Sequence, residues 1–190
     1  MRCVTLRLKG GNRIDSRAGD TRNDAMLKPV RTRARRPSRS GGRFAIVASE
    51  YNARHVDGML RAARAELKRA GAAEVLVVRV PGAFEVPVVA GTLARQQPQW
   101  DAVICLGVIM QGQTSHAQHV GEAVTAGLAH IAVTTGVPMI HEVLVFTAEE
   151  QARVRCLGRK FNRGAEAAQT ALKMAAVMRE VAAVDDGVPF

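Results

Sequence analysis

The chain has 190 residues, 47% of them hydrophobic and 23% charged, enough to build one compact domain with residues to spare and unlike a fibrous or low-complexity chain. Aromatic residues make up only 4%, so the core is expected to be aliphatic, helices packed on a sheet rather than an aromatic-rich β-sandwich. The net charge of +10 invites a nucleic-acid reading, but residues 1–43 hold 13 Lys and Arg against 3 Asp, and residues 44–190 hold 14 basic and 14 acidic residues.

The segment 1–42 carries Arg31, Arg33, Arg35, Arg36 and Arg39 among Pro37, Ser38 and Ser40 and shows no sustained hydrophobic period. Ordering it would cost more backbone entropy than burial returns, so it is expected to be a disordered basic extension to a domain covering 43–190. Such a tail is the one place where RNA or another acidic surface would bind. Cys3, Cys105 and Cys156 lie far apart with no Cys-x-x-Cys or Cys/His ligand spacing, which suggests neither a disulfide framework nor structural zinc and makes a reducing cytoplasm the default. No apolar run reaches the roughly 18 to 20 residues of a membrane span, and no secretory apolar segment opens the chain.

From Phe44 onward, short apolar runs alternate with helical periods. Phe44 to Ala48 reads as a buried strand, and Val56, Met59, Leu60, Ala63, Leu67 and Ala70 then fall on one face of a helix that Gly71 should close. Strands are expected at Glu74 to Val80, Ala102 to Ile109 and Met139 to Phe146, with helices at Val86 to Arg95, about Ala117 to Thr135, and from about Ala148 and about Asn162. Strands apolar throughout and separated by helices need cover on both faces. The expected fold is therefore α/β, a three-layer flavodoxin-like sandwich with a four-stranded parallel sheet, its ligands gathered beyond the carboxyl ends of the strands.

Four loops at those ends carry chemistry. Tyr51 and Asn52 pair an aromatic face with an amide, suited to stacking on a flat heterocycle and reading its substituents, though both are ordinary turn residues. In Val80-Pro81-Gly82-Ala83-Phe84-Glu85-Val86-Pro87, Glu85 can accept hydrogen bonds from a polyol or ring N–H; taken alone, Glu85 reads as a helix-start charge and Phe84 as a core residue. Gly107 to His116 places small and hydroxyl residues between a strand and a helix start, a natural anion site, with His116 beside it as a proton carrier. His116 and His119 lie three apart, but no third ligand suggests a metal. Arg155 follows the last strand on a helix, where it is either a fork for phosphate or an exposed helix arginine.

Taken in order, these segments resemble the lumazine synthase family of riboflavin biosynthesis, over essentially all of residues 44–190. Val80 to Pro87 is similar to the family's V-P-G-A-F-E-x-P, Gly107 to His116 to its G-x-V-I-R-G-x-T-x-H, and Glu150-Gln151-Ala152 with Arg155 to its E-Q-A-x-x-R. The resemblance implies an enzyme that condenses 5-amino-6-(ribitylamino)uracil with 3,4-dihydroxy-2-butanone 4-phosphate, without a cofactor or metal. It implies that Tyr51, Asn52, Ala83, Phe84, Glu85, Val108, Ile109, Met110 and His141 bind substrate. Gly112, Gln113, Thr114 and Arg155 would hold the phosphate, and His116 would transfer protons. It further implies a homo-oligomer of pentamers with sites between subunits, His141 coming from the adjacent chain.

The chain departs from the family pattern at several points. Gln111 stands where Arg is common, His119 where Tyr is, His141-Glu142 for an aromatic-Gly pair, and Val145-Phe146 for two threonines. A protonated His141 would make a less apolar wall, so ligand affinity is expected to vary between pH 5 and 8. A non-catalytic flavin- or lumazine-binding or shell-forming homologue is the alternative reading, and a nucleic-acid module acting through the tail is a third.

Overall fold

In a computed structural model of the chain, which describes residues 41–185, strands and helices alternate in the expected order. The strands are β1 (Arg43–Ser49), β2 (Glu74–Val80), β3 (Ala102–Met110) and β4 (Met139–Phe146). The helices are α1 (Ala53–Arg69), α2 (Val86–Ala94), α3 (His116–Thr135), the single turn α4 (Glu149–Ala152) and α5 (Arg163–Asp185). A π-helical turn, Arg153–Leu157, continues α4. The expected basic extension, residues 1–42, lies outside the described residues except for Gly41 and Gly42; Gly42 accepts a backbone hydrogen bond from Ala73 at 3.0 Å.

The sheet is parallel throughout, in the order β2-β1-β3-β4. Successive side chains of a strand point to opposite faces, so each central strand feeds two cores. Phe44, Ile46 and Ala48 of β1 join Ile104 and Leu106 of β3 in the core under α1 and α5. Ala45 and Val47 join Val103 and Cys105 in the core under α2 and α3. This is why β1 and β3 read as unbroken apolar runs, whereas the edge strands β2 and β4 admit Arg79, His141 and Glu142. Gly71 and Gly136, both at positive φ, end α1 and α3 where the sequence places stops.

On the first face, α5 presses directly on α1. A Cβ on Gly164 would lie 1.9 Å from the Met59 carbonyl oxygen, and one on Gly58 would lie 2.5 Å from that of Cys156. Backbones this close leave room only for glycine. At the amino-terminal edge of the sheet, Arg43 pairs with Glu74 at 2.6 Å, lies over the Trp100 ring, and receives the Asp101 carboxylate on its backbone N–H at 2.7 Å. The opposite edge, at the carboxyl ends, is left for the loops. No helix among the described residues is long and apolar enough to cross a membrane.

Candidate active site

β1 and β3 are neighbours, but α1 and α3 leave them toward opposite faces, which opens a crevice at their carboxyl ends. Asn52 spans it. The residue sits in the left-handed region at φ 56°, which Asn tolerates better than most, and its Nδ2 donates to the Val108 carbonyl of β3 at 2.8 Å. Its own carbonyl accepts the first helical hydrogen bonds of α1, from His55 and Val56. One amide thus fixes where β1 stops and where α1 begins relative to β3.

The first and second loops are joined by backbone. Glu50 N–H donates to the Val80 carbonyl at 2.8 Å and Tyr51 N–H to that of Pro81 at 3.1 Å. Tyr51 is 75% exposed and Phe84 62% exposed. Phe84 is therefore not the core residue its type suggests, because the turn after β2 buries Ala83 instead and sends the next side chain outward. Glu85 does not cap α2 through its side chain. Its carboxylate folds back over Gly82, where a Cβ would meet Oε2 at 2.8 Å.

Val108 is buried and Ile109 and Met110 are half-buried at the end of β3, while every residue from Gln111 to His116 is exposed. Gln111 N–H donates to the Phe146 carbonyl of β4 at 2.8 Å and pins the root of this loop. Beyond it, the backbone N–H groups of Gly112, Gln113, Thr114 and Ser115 find no partner among the described residues. α3 then starts with no acidic side chain in its first turn and no side-chain cap. Free donors immediately before an uncompensated positive helix end are what an anion requires. His116 is the first residue of that helix, within the same corner. Among the described residues no three His, Cys, Asp or Glu side chains are grouped to hold a metal.

His141 and Arg155 lie on opposite sides of the sheet. His141, opposite Cys105 of β3, points toward α3: its Nδ1 accepts the Val143 N–H at 3.1 Å, and its Nε2 lies 2.8 Å from Thr125 Oγ1, which in turn donates to the Gly121 carbonyl. Thr125 has one proton and spends it on Gly121, so His141 Nε2 must be the donor and Nδ1 the acceptor, the neutral form. Burial likewise pushes its pKa down. The lowered pKa moves the expected pH dependence of a His141 wall toward the acid side. A cleft of about 530 Å³ opens beside it between α3 and the β4 edge, lined by Gln111, Gly121, Thr125, Val143 and Val145.

Arg155 stands half-buried in the π turn on the α1 and α5 side. Its electrostatic neighbour is Glu142 of β4, which burial pushes up to about 7 against the opposing pull of Arg163 and Arg155, with Glu166 adding to the rise. A carboxylate oxygen of Glu149 of α4 lies 3.0 Å from Nε2 of the buried His55 of α1 without forming an aligned hydrogen bond. Burial also pushes the thiols of Cys105 and Cys156 up to about 12, so neither is a nucleophile.

Within one chain, the structure joins Asn52 to Val108 and Tyr51 to the Pro81 turn, and anchors the 111–116 loop to the end of β4. Among the described residues it makes no hydrogen bond or ion pair between that loop and Arg155, and neither this cleft nor a second groove beside Arg61, Arg64 and Lys68 is lined by Tyr51, Phe84, His116 or Arg155. Sequence reasoning passed over Glu142 as a neighbour of Arg155 and Asn162 as a structural tie. The first was signalled by a lone carboxylate in an apolar strand, the second by an Asn immediately before a helix.

Residues 41–179 match the protein family described as 6,7-dimethyl-8-ribityllumazine synthase. A protein of that name from Kineococcus radiotolerans is 45% identical over 150 residues, covering 78% of this chain and 92% of the relative. One from Pseudarthrobacter chlorophenolicus is 42% identical over 140 residues, 73% of this chain and 85% of the relative. One from Xylella fastidiosa is 39% identical over 144 residues, 75% of this chain and 93% of the relative.

Proposed function

We propose, because this chain belongs to the 6,7-dimethyl-8-ribityllumazine synthase family, that it condenses 5-amino-6-(ribitylamino)uracil with 3,4-dihydroxy-2-butanone 4-phosphate to give the lumazine, inorganic phosphate and water. The observation that supports the reading is that each of the four motif-bearing segments follows the carboxyl end of a strand of one parallel sheet, with unpaired backbone donors at residues 112–115 and an exposed imidazole at the head of α3.

In this reading Tyr51 and Phe84, both outward-facing rings, sandwich or flank the pyrimidine, while Asn52 and Glu85 read its ribityl chain and ring N–H groups. The N–H groups of Gly112, Gln113 and Thr114 cradle the phosphate, and Arg155 closes on it as a planar charged fork. The 5-amino group of the pyrimidine attacks the ketone and water leaves as the imine forms. Phosphate is then eliminated, the ribitylamine nitrogen closes the ring, and a second water departs. His116 carries protons between these steps, a role worth about a hundredfold to ten-thousandfold in rate. Holding two substrates in register supplies more, roughly 7 to 11 kcal/mol of the barrier.

A single chain leaves this edge open, with Tyr51, Phe84, Val88 and Val145 exposed. That supports a site completed by a neighbouring subunit, in a pentamer or a larger assembly of pentamers, to which His141 would contribute a neutral wall from the far side of its own sheet. Mixing the purified protein with both substrates and following lumazine absorbance together with phosphate release tests the activity; one phosphate per lumazine is expected. A protein that binds lumazine or flavin without forming product has instead the non-catalytic role that the uncharged Gln111 and the carboxylate of Glu142 beside Arg155 favour. Light scattering of the native particle tests the assembly. RNA affinity before and after removal of residues 1–42 tests the tail.

A further inference from the structure

A π turn pairs its backbone loosely, and this one ends abruptly: Gly158, just after it, is already extended. The carbonyls at its end need partners from elsewhere. Asn162 supplies one. Its side chain is buried, and its Nδ2 donates to the Cys156 carbonyl at 2.7 Å. The Oδ1 of the same amide accepts from Gly164 N–H at 2.9 Å and Ala165 N–H at 3.4 Å, capping the amino end of α5. One side chain therefore ties the peptide between Cys156 and Leu157, one residue beyond Arg155, to the start of α5. From the other side the same Cys156 carbonyl is met by α1 at Gly58, whose missing Cβ lets the backbones touch.

We propose that Asn162 is a positioning residue for Arg155: by holding the Cys156 carbonyl it fixes the base of the arginine side chain and so the place of the guanidinium. The proposal rests on the phosphate role given to Arg155 above. Helix capping alone is the competing account, and the two roles of the amide are separable. In Asn162→Ser the hydroxyl stands near the position of the Asn side-chain carbon, close enough to cap α5 and too far from the Cys156 carbonyl to hold it. Asn162→Asp also keeps the cap and replaces the donor by a second acceptor.

The test uses the full chain, with inorganic phosphate as probe, read both as an inhibitor of turnover and by phosphorus NMR titration, which needs no turnover. Asn162→Ser is expected to melt within a few degrees of the parent, to weaken phosphate and raise KM for the phosphorylated substrate about three- to tenfold, and to leave KM for the pyrimidine unchanged; in an Arg155→Ala background it should add nothing, as coupled neighbours do. If Arg155→Ala weakens phosphate and Asn162→Ser does not, the positioning role is overturned while the phosphate role of Arg155 stands. If Arg155→Ala itself leaves phosphate affinity unchanged, the phosphate reading falls and takes this inference with it. Additive losses in the double variant, or equal losses for both substrates, make Asn162 merely structural. Should the Ser variant fail to fold, Asn162→Asp carries the same readouts, and full phosphate affinity in that variant overturns the proposal.

Discussion

The two segments assigned to the phosphate are built in opposite ways. Residues 112–116 are exposed, and their loop is held at its root by a single backbone hydrogen bond from Gln111 to Phe146. The turn bearing Arg155 is wedged between α1 and α5, with Gly58, Gly164 and Asn162 all committed to it or to its neighbours. The open loop owes nothing to the fold beyond its root, so its residue types are free to be set by the ligand. The wedged turn owes its shape to packing, and the charge it presents is only as well placed as that packing. Substitutions on one side should therefore register as lost stability and on the other as lost function.

The largest effect should come from Gly164→Ala. The added methyl would sit on the Met59 carbonyl, backbone against backbone, where no side-chain rotamer can give way. A cost of about 3 kcal/mol or more is expected, at the upper end of overpacking, read as the midpoint of urea unfolding. An unchanged midpoint would mean that α1 and α5 are not locked together here, and the contrast between the two segments would lose its rigid half.

Next comes His116→Ala, which touches the open half. His116 is exposed and is not part of either core, so folding should be untouched while kcat falls by about a hundredfold to ten-thousandfold. Pyrimidine affinity, measured by fluorescence titration, should stay near that of the parent. Undiminished turnover would remove the imidazole from the proton transfers.

Much of this was legible before any coordinates, and the parts that were not share a cause. Phe44 to Ala48 and Ala102 to Ile109 declare themselves because a central parallel strand is apolar on both faces, and Val56, Met59, Ala63 and Leu67 because one helix face meets the sheet. The motif loops follow from those strand ends. Nothing local announces the π turn, whose Cys156 carbonyl is met by Gly58 and Asn162, residues from outside it. Nor does the strand pattern around His141 say that its ring meets Thr125 on α3, or that Glu142 on the other face lies within the field of Arg163 and Arg155. Phe84 misleads for a related reason: residue type predicts burial, but the turn geometry after Pro81 decides it.

Glu142 gives the third effect and links the two halves through charge. Its folded pKa of about 7 lies above the ordinary 4.5, so the folded state holds the extra proton between those values. Stability therefore falls as pH rises from about 4.5 to 7 and levels off above. Arg155, Arg163 and Glu166 face the carboxylate, with Cys156 beside it. Glu142→Gln should flatten the slope and stabilise the protein at pH 8, by on the order of 3 kcal/mol at most. It should also tighten phosphate at pH 8, because an ionised carboxylate no longer competes for Arg155. Unfolding curves at pH 5, 6, 7 and 8 for both proteins decide it; identical slopes would assign the titration elsewhere.

The smallest effect tests the open half at its most open point. Gly112 is not among the glycines at positive φ, and a Cβ built on it meets nothing within 4 Å. Backbone conformation and packing therefore allow alanine, and Gly112→Ala should change stability by no more than about 0.5 kcal/mol, with a slight gain from the stiffer unfolded chain. If the space above Gly112 is where phosphate oxygens approach the free N–H groups, the same methyl stands in their way, and losing one charge-assisted hydrogen bond weakens phosphate by about tenfold. Thermal melting and phosphorus NMR on the same sample separate the two quantities. An alanine variant that melts like the parent and binds phosphate like the parent would mean that the anion does not enter over Gly112, and that the glycine there answers neither to the fold nor to the ligand.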